Sequence, residues 1–97
     1  MQDQKILEEI KEKALPVLKK AQVTKAAIFG SYVRGDNTEN SDIDVLVDLP
    51  RGKTLIDLVG LQYDLEEVLG KRVDLVEYAG IKARIRDSVL ENQYFIL

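Results

Sequence analysis

The chain contains neither cysteine nor histidine. The first absence rules out a disulfide framework and a thiol nucleophile, and the second removes the commonest acid-base group and zinc ligand. Any chemistry must therefore use carboxylates, hydroxyls, Lys, Arg or a bound ion. An excess of positive charge is also missing, since 14 basic and 17 acidic residues leave a net charge of -3. That balance argues against direct nucleic-acid binding, because affinity for phosphate backbones comes from clustered Lys and Arg. No apolar run approaches the roughly 20 residues of a membrane-spanning helix, and the opening "MQDQKILEEIKEK" carries acids but no long apolar run. The expectation is a cytoplasmic protein with no membrane association.

What is present suits one compact domain over residues 1–97, with 45% hydrophobic content and enough chain to bury roughly two-thirds of its unfolded surface. Ile6, Leu7, Ile10, Ala14, Val17 and Leu18 recur at helical spacing. Pro16 interrupts that pattern and predicts a kink or restart near Leu15. "KAAIFG" from Lys25 reads as a short strand ended by Gly30. "DIDVLVD" alternates strictly, with Ile43, Val45 and Val47 on one face and Asp42, Asp44, Leu46 and Asp48 on the other. After Pro50, Leu55, Leu58, Val59, Leu61, Leu65, Val68 and Leu69 are expected along one side of a helix that starts at a Thr54/Asp57 capping box and stops at Gly70. "RVDLVE" reads as a third strand. A last helix follows, with Ile81, Ile85, Val89 and Asn92 on one stripe.

The order helix, strand, helical turn, strand, helix, strand, helix predicts an α/β fold with a small mixed three-stranded sheet packed with helices. The short link from Ser31 to Ser41 makes the first two strands antiparallel neighbours. The helix of about 15 residues between the second and third suits a right-handed parallel crossover. That topology brings the Gly30-Ser31 turn, Asp42, Asp44 and Asp74 to one end of the sheet. Three crowded carboxylates repel one another unless protons or cations compensate. Asp42 and Asp44, about 6 to 7 Å apart on one strand face, could bracket a metal, and Asp74 a second ion about 4 Å away. Mg²⁺ suits carboxylate oxygens and shares its remaining positions with phosphates. Gly30 allows close backbone approach, and Ser31 with the amides after it can bind phosphate oxygens. Together these features describe a nucleoside triphosphate site.

Gly30-Ser31, ten intervening residues, Asp42-Ile43-Asp44 and then Asp74 resemble the nucleotidyltransferases of the DNA polymerase β superfamily. The form "GSYVRG...SDIDVLV" and the closing "RVDLVE" resemble its minimal nucleotidyltransferase branch, over roughly residues 20 to 95. The resemblance implies that Asp42, Asp44 and Asp74 hold two Mg²⁺ ions and that Gly30 and Ser31 grip the β and γ phosphates of ATP. It implies that Asp74 helps activate an acceptor hydroxyl for in-line attack on the α-phosphate. It also implies an antitoxin role, with AMP transferred to a tyrosine of a HEPN-domain toxin. The alternative is a non-catalytic module that masks its partner by contact.

Other features have plainer readings. Asp48 is a solvated strand end, Tyr32 a packing residue, Arg34 either a phosphate contact or a partner of Asp36, and "RGKT" a helix start. Lys82, Arg84 and Arg86 form a basic face that could meet the triphosphate or a partner. The terminal "YFIL" is either an interface, leaving self-association open, or a segment folded back on the core.

Overall fold

The structure is a computed structural model and describes residues 4–81 and 83–97. Helix α1 (Gln4–Lys20) is followed by strand β1 (Lys25–Phe29), the single turn α2 (Ser31–Arg34), strand β2 (Ile43–Asp48) and helix α3 (Leu55–Leu69). Strand β3 (Val73–Glu77), a 3-10 turn at Tyr78–Gly80, helix α4 (Ala83–Glu91) and strand β4 (Tyr94–Phe95) complete the chain. The sheet order is β3-β2-β1-β4. β1 is antiparallel to β2 and β3 is parallel to it, as the link lengths predict.

The class is the expected one, but the sheet has four strands rather than three. The terminal "YFIL" folds back, with Ala27 paired to Phe95 and Ile28 to Tyr94, and Ile96 is buried in the core. A two-residue strand is too short to show alternation, and its pairing comes from the unoccupied edge of β1.

Helix α1 runs unbroken through Pro16, contrary to the expected restart. Leu7, Ile10, Ala14 and Leu18 are buried on both sides of that proline, so continuous packing against the sheet overrides one missing backbone hydrogen bond. Helix α3 begins at the predicted capping box. Thr54 N–H donates to Asp57 Oδ2 at 2.8 Å, and Asp57 N–H to Thr54 Oγ1 at 3.3 Å. It ends at Gly70 in the left-handed conformation. Its apolar residues do not share one side, however. Leu61 and Leu65 are buried and Leu58 and Leu69 pack against them, whereas Leu55, Val59 and Val68 face solvent. At 3.6 residues per turn those seven positions spread over about half of the helix circumference, with Leu55 and Val59 at one edge and Val68 at the other, and the core receives only the middle of that arc.

The main core lies between α1, α3 and the sheet face of Ile28, Ile43, Val45, Val47, Val73 and Leu75. A carboxylate oxygen of Glu66 accepts the Val73 N–H at 2.9 Å, and Ile43 N–H donates to Arg72 O at 2.9 Å. These bonds set the register that brings the start of β3 beside the start of β2.

Candidate active site

β1 ends at Gly30, whose φ of 76° and ψ of -146° turn the chain directly into α2. A side chain is excluded there twice over, because φ lies in the glycine region and a Cβ would overlap Asp44 Oδ2 and come within 3.0 Å of Asp44 Cγ. The glycine of the "GS" turn thus rests against the second acid of "DID", across paired strands in which Phe29 faces Asp44. Arg34 and Val33 donate backbone N–H groups to Gly30 O at 3.1 Å, which holds the tight turn. Ser31 follows, half-buried, and its carbonyl accepts from Gly35 and Asp36.

On the other side of β2, Asp44 is the direct parallel partner of Asp74. Its carboxyl is pushed up to about 6, first by burial, then by the negative charges of Asp74 and Asp42, with a hydrogen bond to Asp74 adding to the effect and Arg34 opposing it. Asp42 lies one residue ahead of β2 and is exposed. The loop before it is shaped by Thr38 N–H donating to Ser41 Oγ at 2.8 Å and Ser41 N–H to Thr38 O at 3.1 Å. Gly30, Asp44 and Asp74 therefore stand together. Asp42 is near enough to be felt electrostatically, while among the described residues no three acidic side chains are gathered into a metal-binding cluster. The donor set still fits a hard cation, since it consists of carboxylate oxygens whose mutual repulsion a bound cation would relieve.

A cleft of about 210 Å³ opens over Asp44 and is lined by Phe29, Gly30, Arg34, Val89 and Asn92. Val89 and Asn92 come from the end of α4, which the turn after β3 places across this face. Tyr78 Oη donates to Gln93 Oε1 at 2.8 Å, and Gln93 Nε2 to Leu90 O at 2.9 Å, tying the end of β3 to the end of α4. In the sequence Asn92 falls on the stripe of Ile81, Ile85 and Val89, which gives it no role of its own. Only the fold brings it to the cleft, across nearly fifty residues of chain from Asp44.

The remaining candidates have definite places. Arg34 Nε meets Asp36 Oδ2 at 3.3 Å, the pairing that one of its two readings expects, and the residue also lines the cleft. Tyr32 is buried in the core and Asp48 is exposed at the far end of β2. Arg86 is exposed, whereas Lys82 and the side chain of Arg84 lie outside the described residues. Among the described residues no helix is long and apolar enough to cross a membrane.

Residues 4–95 match the model of the nucleotidyltransferase domain family. MJ0435 of Methanocaldococcus jannaschii, named "putative protein adenylyltransferase", is 48% identical over 91 residues, which cover 94% of this chain and 98% of that protein. A solved structure described as a "putative minimal nucleotidyltransferase" is 36% identical with a TM-score of 0.80, over 95% of this chain and 94% of the other. A toxin-antitoxin crystal structure with AMP-PNP contains a chain that is 25% identical with a TM-score of 0.78, over 90% of this chain and 72% of that one.

Proposed function

Because the chain belongs to the nucleotidyltransferase domain family, we propose that it transfers AMP from ATP to a tyrosine hydroxyl of a HEPN-domain toxin and so acts as its antitoxin. The acceptor oxygen attacks the α-phosphorus as the bond to the bridging oxygen breaks, and pyrophosphate leaves with the displaced electron pair. The observation that carries this reading is the contact of Gly30 with Asp44 beside Asp74. It sets a glycine turn directly against two neighbouring carboxylates, one of them half-buried.

In this reading Asp42, Asp44 and Asp74 hold two Mg²⁺ ions. Bound there, magnesium supplies neutralisation of the negative charge that spreads over the transferring phosphoryl group. Gly30 leaves room for the triphosphate against the backbone, and Ser31 binds its β and γ oxygens. Arg34 lines the same cleft and adds positive charge on the side where pyrophosphate departs. Asp74, on the exposed edge of the pair, receives the proton of the acceptor hydroxyl. The names of the relatives support AMP as the group moved and a toxin as the partner. The ATP-rich cytoplasm is the setting that this chemistry calls for.

The test is incubation with a HEPN-domain toxin as acceptor, α-labelled ATP and Mg²⁺, with Asp44→Ala as the control. Label on the toxin should fall by at least about a thousandfold in the control. If the toxin stays unlabelled and is inhibited equally by both proteins, the chain is a masking module and not an enzyme.

A further inference from the structure

The cleft over Asp44 has two unlike sides. The sheet and α2 supply Gly30, Asp44 and Arg34, whereas the end of α4 supplies Val89 and Asn92, which carry no charge. In the proposed transfer the first side takes phosphate and metal. Those groups are common to every nucleoside triphosphate, so nothing on that side tells one from another. Selection must come from a group that meets the nucleoside. At about 210 Å³ the cleft is smaller than pockets that enclose a whole ligand, which run to roughly 300–1,000 Å³. It has room for one part of a nucleotide.

Of the described residues that line the cleft, Asn92 alone is polar and uncharged. Its carboxamide carries an acceptor oxygen and a donor NH₂ side by side. Adenine presents the complementary pair, the N6 amino donor next to the N7 acceptor, while guanine presents two acceptors, O6 and N7, on the same edge. Asn92 is also held in place. Its backbone N–H donates to Val89 O at 3.3 Å. Gln93, the next residue, is bound by Tyr78 Oη at 2.8 Å and by Leu90 O at 2.9 Å, and Tyr94 then pairs with Ile28 of β1. A group fixed in this way loses little freedom when it binds. Val89, one turn earlier on the same helix face, and Phe29 are half-buried and give the cleft apolar surface suited to a base ring.

On the reading of this cleft as a nucleotide site, we propose that Asn92 recognises the adenine edge of the substrate and sets a preference for ATP over GTP. The carboxamide oxygen accepts from the N6 amino group, and the amide NH₂ donates to N7. With guanine one of the two bonds is lost, because the carboxamide oxygen then faces the O6 acceptor.

Binding without transfer tests this. The full chain with Mg²⁺ is titrated with α,β-methylene ATP, α,β-methylene GTP and inorganic tripolyphosphate; the carbon bridge of the analogues blocks transfer. The unsubstituted chain should bind the ATP analogue about tenfold more tightly than the GTP analogue. Asn92→Ala should weaken the ATP analogue until the two lie within about twofold of each other. Its unchanged affinity for tripolyphosphate would show that the variant is folded. Asn92→Lys, whose ammonium can donate to both guanine acceptors, should move the ratio toward GTP, and the ratio cancels the effect of the added charge on the phosphates. Equal affinity for both analogues in the unsubstituted chain, or a ratio that Asn92→Lys does not move, would overturn the proposal. So would an equal loss of both analogues in Asn92→Ala, which would give the residue to the sugar, or a matching loss of tripolyphosphate, which would give it to the phosphates. Binding of none of the three probes would overturn the nucleotide reading together with it. An Asn92-dependent preference in a chain that labels no toxin would support the role of Asn92 and count against transfer alone.

Discussion

Adjacent residues of β2 serve two sheet faces built on different principles. Ile43, Val45 and Val47 pack against α1 and α3, and no polar or charged residue is buried among the described residues of that core. On the opposite face Ala27 and Leu46 are just as fully enclosed, but the surroundings change along the strands. Toward Gly30 stand Asp44 and Asp74. At the far end Lys25 Nζ lies 4.5 Å from the Tyr78 ring centroid and 5.6 Å from that of Phe95. The first face is explained by packing alone. The second carries the Asp44 carboxyl, raised first by burial and then by the charges of Asp74 and Asp42, a crowding of acids that packing does not require. Residues one position apart can therefore answer to stability and to chemistry separately.

The contrast is broken most severely at Ile43, which is 1% exposed beside Asp44. Ile43→Ala removes methylenes from a closed core and should cost about 3 kcal/mol, read from urea midpoints at constant m. A loss under about 1 kcal/mol would mean that this face is not the tightly packed one. Gly30→Ala comes next, at about 2 kcal/mol, because alanine must adopt a positive φ and also displace the Asp44 carboxylate. In an Asp44→Ala background the clash disappears and the backbone strain remains, so the same substitution should cost about half as much. Equal costs in both backgrounds would show that the close approach contributes nothing.

How much of this could be read from the sequence follows from the range of each signal. The alternation of "DIDVLVD", the capping box and the link lengths are local, and they placed β2, α3 and the antiparallel and parallel pairings correctly. Gly30, Asp44 and Asp74 came together because strand register follows from those local features. What escaped depends on contacts between distant segments. Asn92 reaches the cleft only because Tyr78 and Gln93 tie α4 across the sheet. Periodicity alone could not show that Leu55 and Val59, at the edge of the arc that holds Leu61 and Leu65, stay uncovered, since it counts apolar residues and not the surfaces available to cover them. Pro16 misled for a related reason. Of the kink or restart that local propensity predicted, the restart is absent, and burial of Ala14 and Leu18 outweighs it.

The smallest expected effect is the one that separates the faces most cleanly. Asp44 has a folded-state pKa of about 6 against an ordinary value of 3.8, so the fold favours its neutral form. The stability gained from that preference is fully present below about pH 4 and is lost as pH rises through 6. Asp44→Asn mimics the neutral form at every pH. It should therefore stabilise the chain by about 1 kcal/mol at pH 8, after allowing for solvent around a half-exposed carboxyl, and raise the melting temperature by about 5 °C. At pH 4 the gain should vanish. Millimolar Mg²⁺ should stabilise the unsubstituted chain and not the variant, closing the gap at pH 8. A gain of equal size at both pH values would trace the stabilisation to something other than charge, and the two faces would then differ less than the carboxylates suggest.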